Sequence, residues 1–209
     1  FFDYSLSISD RILKDFKTTL YMLFFSAIFA GLFGLILGII MVVTDRGRIL
    51  ENKVVYSILD KLTNIFRSIP FIILLALVAP LTRVIVDTRI GPKAAIVPLV
   101  VSCVPFFARQ VEQALAEVDP GVIEAAEAMG KSPFEIITSV YLREGLPNLI
   151  RAGSITLISL LGLTAMAGLI GGGGIGDLAI SVGYNRYKDD VVLVSVLLTL
   201  LVVSIIQAI

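Results

Sequence analysis

Apolar residues fall into five runs that contain no Asp, Glu, Lys or Arg, and the polar residues gather between them. The longest covers residues 18–44, with 20–43 as its core; 68–82 and 94–108 hold 15 residues each, 152–176 holds 25, and 191–209 holds 19. A helix crossing the ~30 Å hydrocarbon core of a bilayer needs about 20 mostly apolar residues. The two short runs therefore depend on their flanks. Ahead of the first, Val54, Val55, Ile58, Leu59, Leu62, Ile65 and Phe66 recur at helical spacing, opposite a polar stripe of Ser57, Asp60, Lys61, Asn64 and Arg67. This predicts one long helix over 54–81 that enters through a polar interface. The second extends past Arg109, whose long side chain is expected to reach outward to headgroups. Backbone polar groups in lipid must be satisfied within the chain, so each run is read as a helix. The expected spans are 20–43, 54–81, 94–112, 148–170 and 189–209, after an N-terminal tail over 1–19. The expected fold is all-α and integral to a membrane, with five transmembrane helices.

Composition supports this. The residues AVILMFWYC make up 57% of the 209 and charged residues 16%, against roughly 45–50% and 25% in soluble domains; the mean hydropathy is +0.96. With 17 basic and 17 acidic residues, no histidine and a single cysteine, Cys103, nothing points to nucleic acid, a disulfide framework, a metal centre or a catalytic residue. Cys103 reads as a small apolar filler. The first run is too long for a signal peptide and lacks a small-residue cleavage site. The chain begins without methionine and stops inside an apolar run, as expected of a trimmed sequence. Lys and Arg divide nine against eight between the two sides, so charge leaves the orientation open. In the first span, Ala27, Gly31, Gly34 and Gly38 form a small-residue ridge suited to helix packing.

The long polar connection between the third and fourth spans, about 117–145, is the most informative stretch. Asp119-Pro120 is an N-cap followed by a proline at the first helical position. The helix it opens should end at Gly130, which tolerates the left-handed conformation. Ser132 and Glu135 have capping-box spacing and start a second short helix. Pro147 leads into the fourth span. The expected form is a helix–elbow–helix, with a well-capped solvated loop as the alternative.

Glu124-Ala125-Ala126, Gly130 and Leu142 stand at the spacing of the EAA motif, and the stretch resembles that motif of bacterial ABC-importer permeases; Val140 replaces its Ile and Arg143 its Pro. The segments 64–71, 105–109 and 165–168 with the glycine run that follows are similar to the methionine-importer permeases, and the likeness covers nearly the whole chain from about Leu20. The resemblance implies a type I importer permease fold and a cytoplasmic coupling loop that docks on a separate ATPase. Glu124 would be a polar anchor, Ala125 and Ala126 would permit close approach, and Gly130 would form the elbow. It further implies a second copy of the chain, two ATPase subunits that hold ATP and Mg, and an extracytoplasmic methionine-binding (lipo)protein. The location implied is a bacterial cell membrane, with the N-terminus outside and the C-terminus in the cytoplasm. Met166 would contribute to the gate. Permeases for other amino acids or for quaternary ammonium osmoprotectants share this format.

The chain has no G-x-x-x-x-G-K-[ST] phosphate loop of its own. Gly171, Gly173 and Gly176 fit G-x-G-x-x-G but follow a membrane helix, so no nucleotide site is expected there. The run Gly171, Gly172, Gly173 and Gly174 is either a hinge or re-entrant turn beside the pathway, or a flexible outer loop. The uncharged spans argue against a secondary transporter with an internal ion relay. A non-transporting membrane scaffold is the remaining alternative.

Overall fold

The computed structural model describes residues 3–208, with no strand among them. The helices are α1 (Asp3–Ser7), α2 (Ser9–Thr44), α3 (Lys53–Ser68), α4 (Phe71–Val86), α5 (Pro92–Ala116), α6 (Pro120–Ala128), α7 (Pro133–Ile136), α8 (Leu142–Glu144), α9 (Leu146–Ala167), α10 (Ile175–Asp177) and α11 (Asp189–Gln207). π-Helical turns at Ile137–Tyr141, Gly168–Gly172 and Leu178–Tyr184 interrupt the later helices. Among the described residues, four stretches are long and apolar enough to cross a bilayer: α2, α5, α9 with its following turn, and α11. The pair α3 and α4 makes a fifth when taken together as one broken span.

That break corrects the expected single helix over 54–81. Helix α3 stops at Ser68, Pro70 has φ −56° and ψ 137°, and α4 starts at Phe71. Proline lacks the amide that would continue the helix and pushes the residue before it out of helical geometry. The apolar stripe runs on through this point, so periodicity alone hides it. The first span also differs from its expected start: residues 9–19 belong to the same helix as 20–44.

The chain divides into two compact units. One comprises Ala30–Ser68 and Cys103–Thr156. Its core joins Val42, Val43, Val111, Leu115 and Val118 to Ile123, Ala126, Ile136, Val140 and Tyr141, so the polar connection is packed onto the membrane helices of its own unit. Helices α2 and α5 cross closely there: a Cβ on Gly38 would lie 2.6 Å from the Ala108 carbonyl oxygen, and one on Gly34 2.9 Å from the Phe107 ring. Gly31 faces open space, so only part of the expected small-residue ridge is used.

The other unit contains the described residues up to Phe29, Ile69–Ser102 and the chain from Leu157 onward. Leu178, Val182 and Val191 form its small core with Tyr4, Ile8 and Ile12 packed against it. Asp190, 6% exposed, accepts a hydrogen bond from the Ser5 amide at 2.7 Å, and the Lys188 ammonium sits 4.6 Å from the centre of the Tyr4 ring. The N-terminal segment is thus docked on the start of α11.

Candidate functional site

The connection between α5 and α9 folds as capped helices joined by an elbow. The Asp119 carboxylate accepts the Gly121 amide at 2.8 Å, Pro120 occupies the first turn of α6, and α6 runs to Ala128. Gly130 has φ +76°, the left-handed value expected of a helix-ending glycine. The amides of Gly130 and Lys131 close the end by donating to the carbonyls of Glu127 and Ala126. The capping box is present at Ser132: its amide donates to the Glu135 carboxylate at 2.7 Å, and the Glu135 amide donates back to its hydroxyl. The Ser132 hydroxyl also donates to the Glu135 carboxylate at 2.7 Å, and this bond together with the one from the Ser132 amide holds the Glu135 carboxyl below its ordinary pKa. Lys131 Nζ donates to Ser139 Oγ at 3.1 Å, tying the elbow to the helical turn that follows.

The apolar side of the segment points into its unit's core and the other side is free. Glu124 and Ala125 are exposed, whereas Ala126 is buried against the core. Of the two alanines expected to permit close approach, Ala125 is thus open to a partner while Ala126 turns inward, since adjacent helical positions lie about 100° apart. Leu142, half-buried, packs against the same core and anchors the segment's end. Tyr141 is fully buried; burial pushes its phenol pKa up, with Arg48 partly offsetting this. Arg48 also donates to the Ala116 carbonyl at the end of α5. Three exposed apolar side chains escaped the sequence reading: Val122 at 42%, Met129 at 70% and Phe134 at 75% exposure. They share the segment with Glu124 and Ala125, and large apolar groups left in water on an ordered, capped segment are the available signal.

Arg109 does not reach outward as expected. It lies 2.6 Å from Glu112 and also pairs with Asp60, with Asn64 accepting a further bond at 3.2 Å. The Tyr56 hydroxyl donates to the other Glu112 oxygen at 2.9 Å. The polar stripe of α3 therefore meets a matching stripe on α5. Removing one member of this cluster would leave the others as partly buried charges without their partner, which is strongly destabilising.

The remaining candidates lie in the other unit. Met166 stands one residue before the end of α9 and is 38% exposed. Beyond it the backbone leaves helical geometry at Ile170 and Gly171, and Gly171, Gly173 and Gly174 take φ values of +96°, +70° and +89°. This run is tightly fitted: the Gly171 carbonyl accepts the Gly91 amide at 3.0 Å, and a Cβ on Gly174 would lie 2.5 Å from Thr19 Oγ1. A Cβ on Gly172 would lie 2.7 Å from the Ala167 carbonyl oxygen. Thr19 in turn accepts the Ile175 amide at 2.8 Å.

A capped, core-anchored segment between two membrane helices, with an exposed EAA-type face, defines a component of a membrane transport system. The family model for the binding-protein-dependent transport system inner membrane component matches residues 30–209, and the chain belongs to that family. The probable D-methionine transport system permease protein MetI of Pasteurella multocida is 45% identical over 189 residues, spanning 90% of this chain and 87% of that protein. The D-methionine transport system permease protein MetI of Escherichia coli is 51% identical over 150 residues, spanning 72% and 69%. A solved structure of the MetNI methionine ABC transporter in an inward-facing conformation matches with a TM-score of 0.93 and 44% identity, over 96% of this chain and 93% of that one. An amino acid ABC transporter solved with histidines shares the fold, with a TM-score of 0.78 at 18% identity over 100% of this chain and 96% of that one.

Proposed function

We propose that this chain is the membrane-spanning permease subunit of an ATP-driven methionine importer, and that residues 117–145 transmit the motion of a separate ATPase to the pathway. The observation that carries this is the exposed face of Glu124 and Ala125 on a segment whose opposite face is locked into the membrane unit. A lever needs both: a surface to be pushed and a rigid attachment to what must move. The kinship with D-methionine permeases supports the substrate.

Two copies related by a two-fold axis enclose the pathway, two ATPase chains holding ATP and Mg dock on the coupling segments, and an extracytoplasmic methionine-binding protein delivers the substrate. The coupling segment faces the cytoplasm, where ATP is, so the N-terminus lies outside and the C-terminus inside. Nucleotide binding favours one state of the permease and hydrolysis the other, which shifts the population between inward- and outward-facing forms. Met166 of each protomer meets its twin near the axis and closes an apolar constriction with a flexible thioether. The Gly171–Gly174 run is the bend on which that end of α9 turns.

The test is ATP hydrolysis by the permease co-purified with its ATPase. Methionine-loaded binding protein should stimulate it. Stimulation only by a different solute would overturn the substrate, and failure of the two chains to associate would overturn the importer reading.

A further inference from the structure

Asp10, Lys14, Lys17 and Tyr21 lie on one face of α2, at positions i, i+4, i+7 and i+11. Together with Pro92 and Lys93 at the start of α5 they line an open groove of about 600 Å³. Lys14, Lys17 and Lys93 are all exposed, and no ion pair joins any of them to a carboxylate among the described residues. The nearby Asp15 is engaged by Arg11 instead.

Depth identifies what this groove meets. The uncharged core of α2 begins at Leu20. Along a helix rising 1.5 Å per residue, Lys17 stands ~4.5 Å and Lys14 ~9 Å beyond it. Lys93 directly precedes the uncharged run of α5. The headgroup layer adds roughly 5–8 Å on each side of the hydrocarbon. On this measure Lys17 and Lys93 fall within the headgroup layer and Lys14 at its outer edge, where its long side chain can still reach a lipid phosphate. Below them the same side of α2 continues as an apolar aromatic surface: Tyr21 and Phe25 have ring centres 4.8 Å apart, and Phe24 is 61% exposed. A protein docking from water could meet the lysines but not that lower surface. A phospholipid meets both.

We propose that this groove binds an anionic phospholipid, its phosphodiester held by Lys14, Lys17 and Lys93 and its acyl chains lying along Tyr21, Phe24 and Phe25. The end of α5 that carries Lys93 is the one away from the coupling segment, so the lipid belongs to the opposite leaflet. The groove ties the start of α2 to the start of α5 through a ligand that the membrane itself supplies.

The test is native mass spectrometry of the assembled permease–ATPase complex in mixed micelles of phosphatidylglycerol and phosphatidylcholine. The wild-type complex should retain phosphatidylglycerol preferentially. Each of Lys14→Gln, Lys17→Gln and Lys93→Gln should lower that retention about fivefold, and the triple variant should abolish the preference. Lys53→Gln, outside the groove, should leave it unchanged. Soluble glycerol phosphate in excess should not displace the lipid. Where the triple variant fails to assemble, the single variants decide. Unchanged retention in the lysine variants would overturn the proposal. So would displacement by free glycerol phosphate, which marks a free-anion site. Loss of binding-protein docking with lipid retention intact would also overturn it, marking an acidic protein surface.

Discussion

Gly130 carries the elbow through its backbone alone: φ is +76° and a Cβ there would meet nothing within 4 Å. Gly130→Ala should therefore cost only the left-handed penalty of about 1–2 kcal/mol, whereas Gly130→Pro, restricted to φ near −65°, cannot form the turn. Membrane insertion measured by fractionation should survive in the proline variant, and methionine uptake should not. Met166 is a second residue-scale test. Met166→Ala should raise the leak of labelled methionine from proteoliposomes, or uncouple ATP hydrolysis from transport, without hindering assembly; unchanged leak and coupling would make it ordinary packing. At this scale the sequence was partly legible. The need for glycine at position 130 follows from where a helix must end, and the structure meets it. Neither the inward turn of Ala126 nor the Arg109 pairing with Asp60 and Glu112 follows from local spacing, since each depends on a helix distant in sequence.

Among the elements, the short helix after the elbow depends on its cap. Ser132→Ala removes an acceptor for the Glu135 amide and should destabilise the segment by about 1 kcal/mol, seen as faster hydrogen exchange confined to 131–141. Separately, the Glu135 carboxylate accepts from the Ser132 hydroxyl and amide and its pKa is lowered in the folded chain, so the stability these bonds add is present at neutral pH and lost as pH falls through the lowered value. Close packing of Gly145, the residue just before α9, against α5 gives a second test. A Cβ on Gly145 would lie 2.6 Å from both the Leu115 side chain and the Tyr141 carbonyl oxygen. Gly145→Ala should cost about 1–3 kcal/mol through overpacking, measured as a lower thermal midpoint of the purified complex. The capping box and the proline-led start of α6 were readable because both ends of each interaction lie within four residues. Pro70 carried the signal for the break between α3 and α4, but the unbroken apolar pattern around it outweighed that signal. The importance of Gly145 shows only in the fold, where its neighbour on α5 lies 30 positions earlier in the chain.

For the whole molecule, the spans and the transport family were legible because membrane burial writes long uncharged runs and the EAA pattern writes a docking segment. Orientation was not, since Lys and Arg divide almost equally. The proposed lipid phosphates at the α2–α5 groove would give that balance a physical reason, holding lysines where the positive-inside preference alone would not. Four or five spans per chain are few to enclose a pathway, which is why the proposed function puts it between two copies. The central claim is that ATP hydrolysed by a partner drives methionine through this permease by way of the segment bearing Glu124. The direct measurement is accumulation of labelled methionine in proteoliposomes containing permease, ATPase and binding protein, with wild type compared with Glu124→Lys. Wild type should accumulate methionine only when ATP is supplied to the ATPase, and the charge reversal should abolish accumulation while the permease remains inserted. Accumulation driven by an ion gradient without ATP, or equal accumulation by Glu124→Lys, would contradict it.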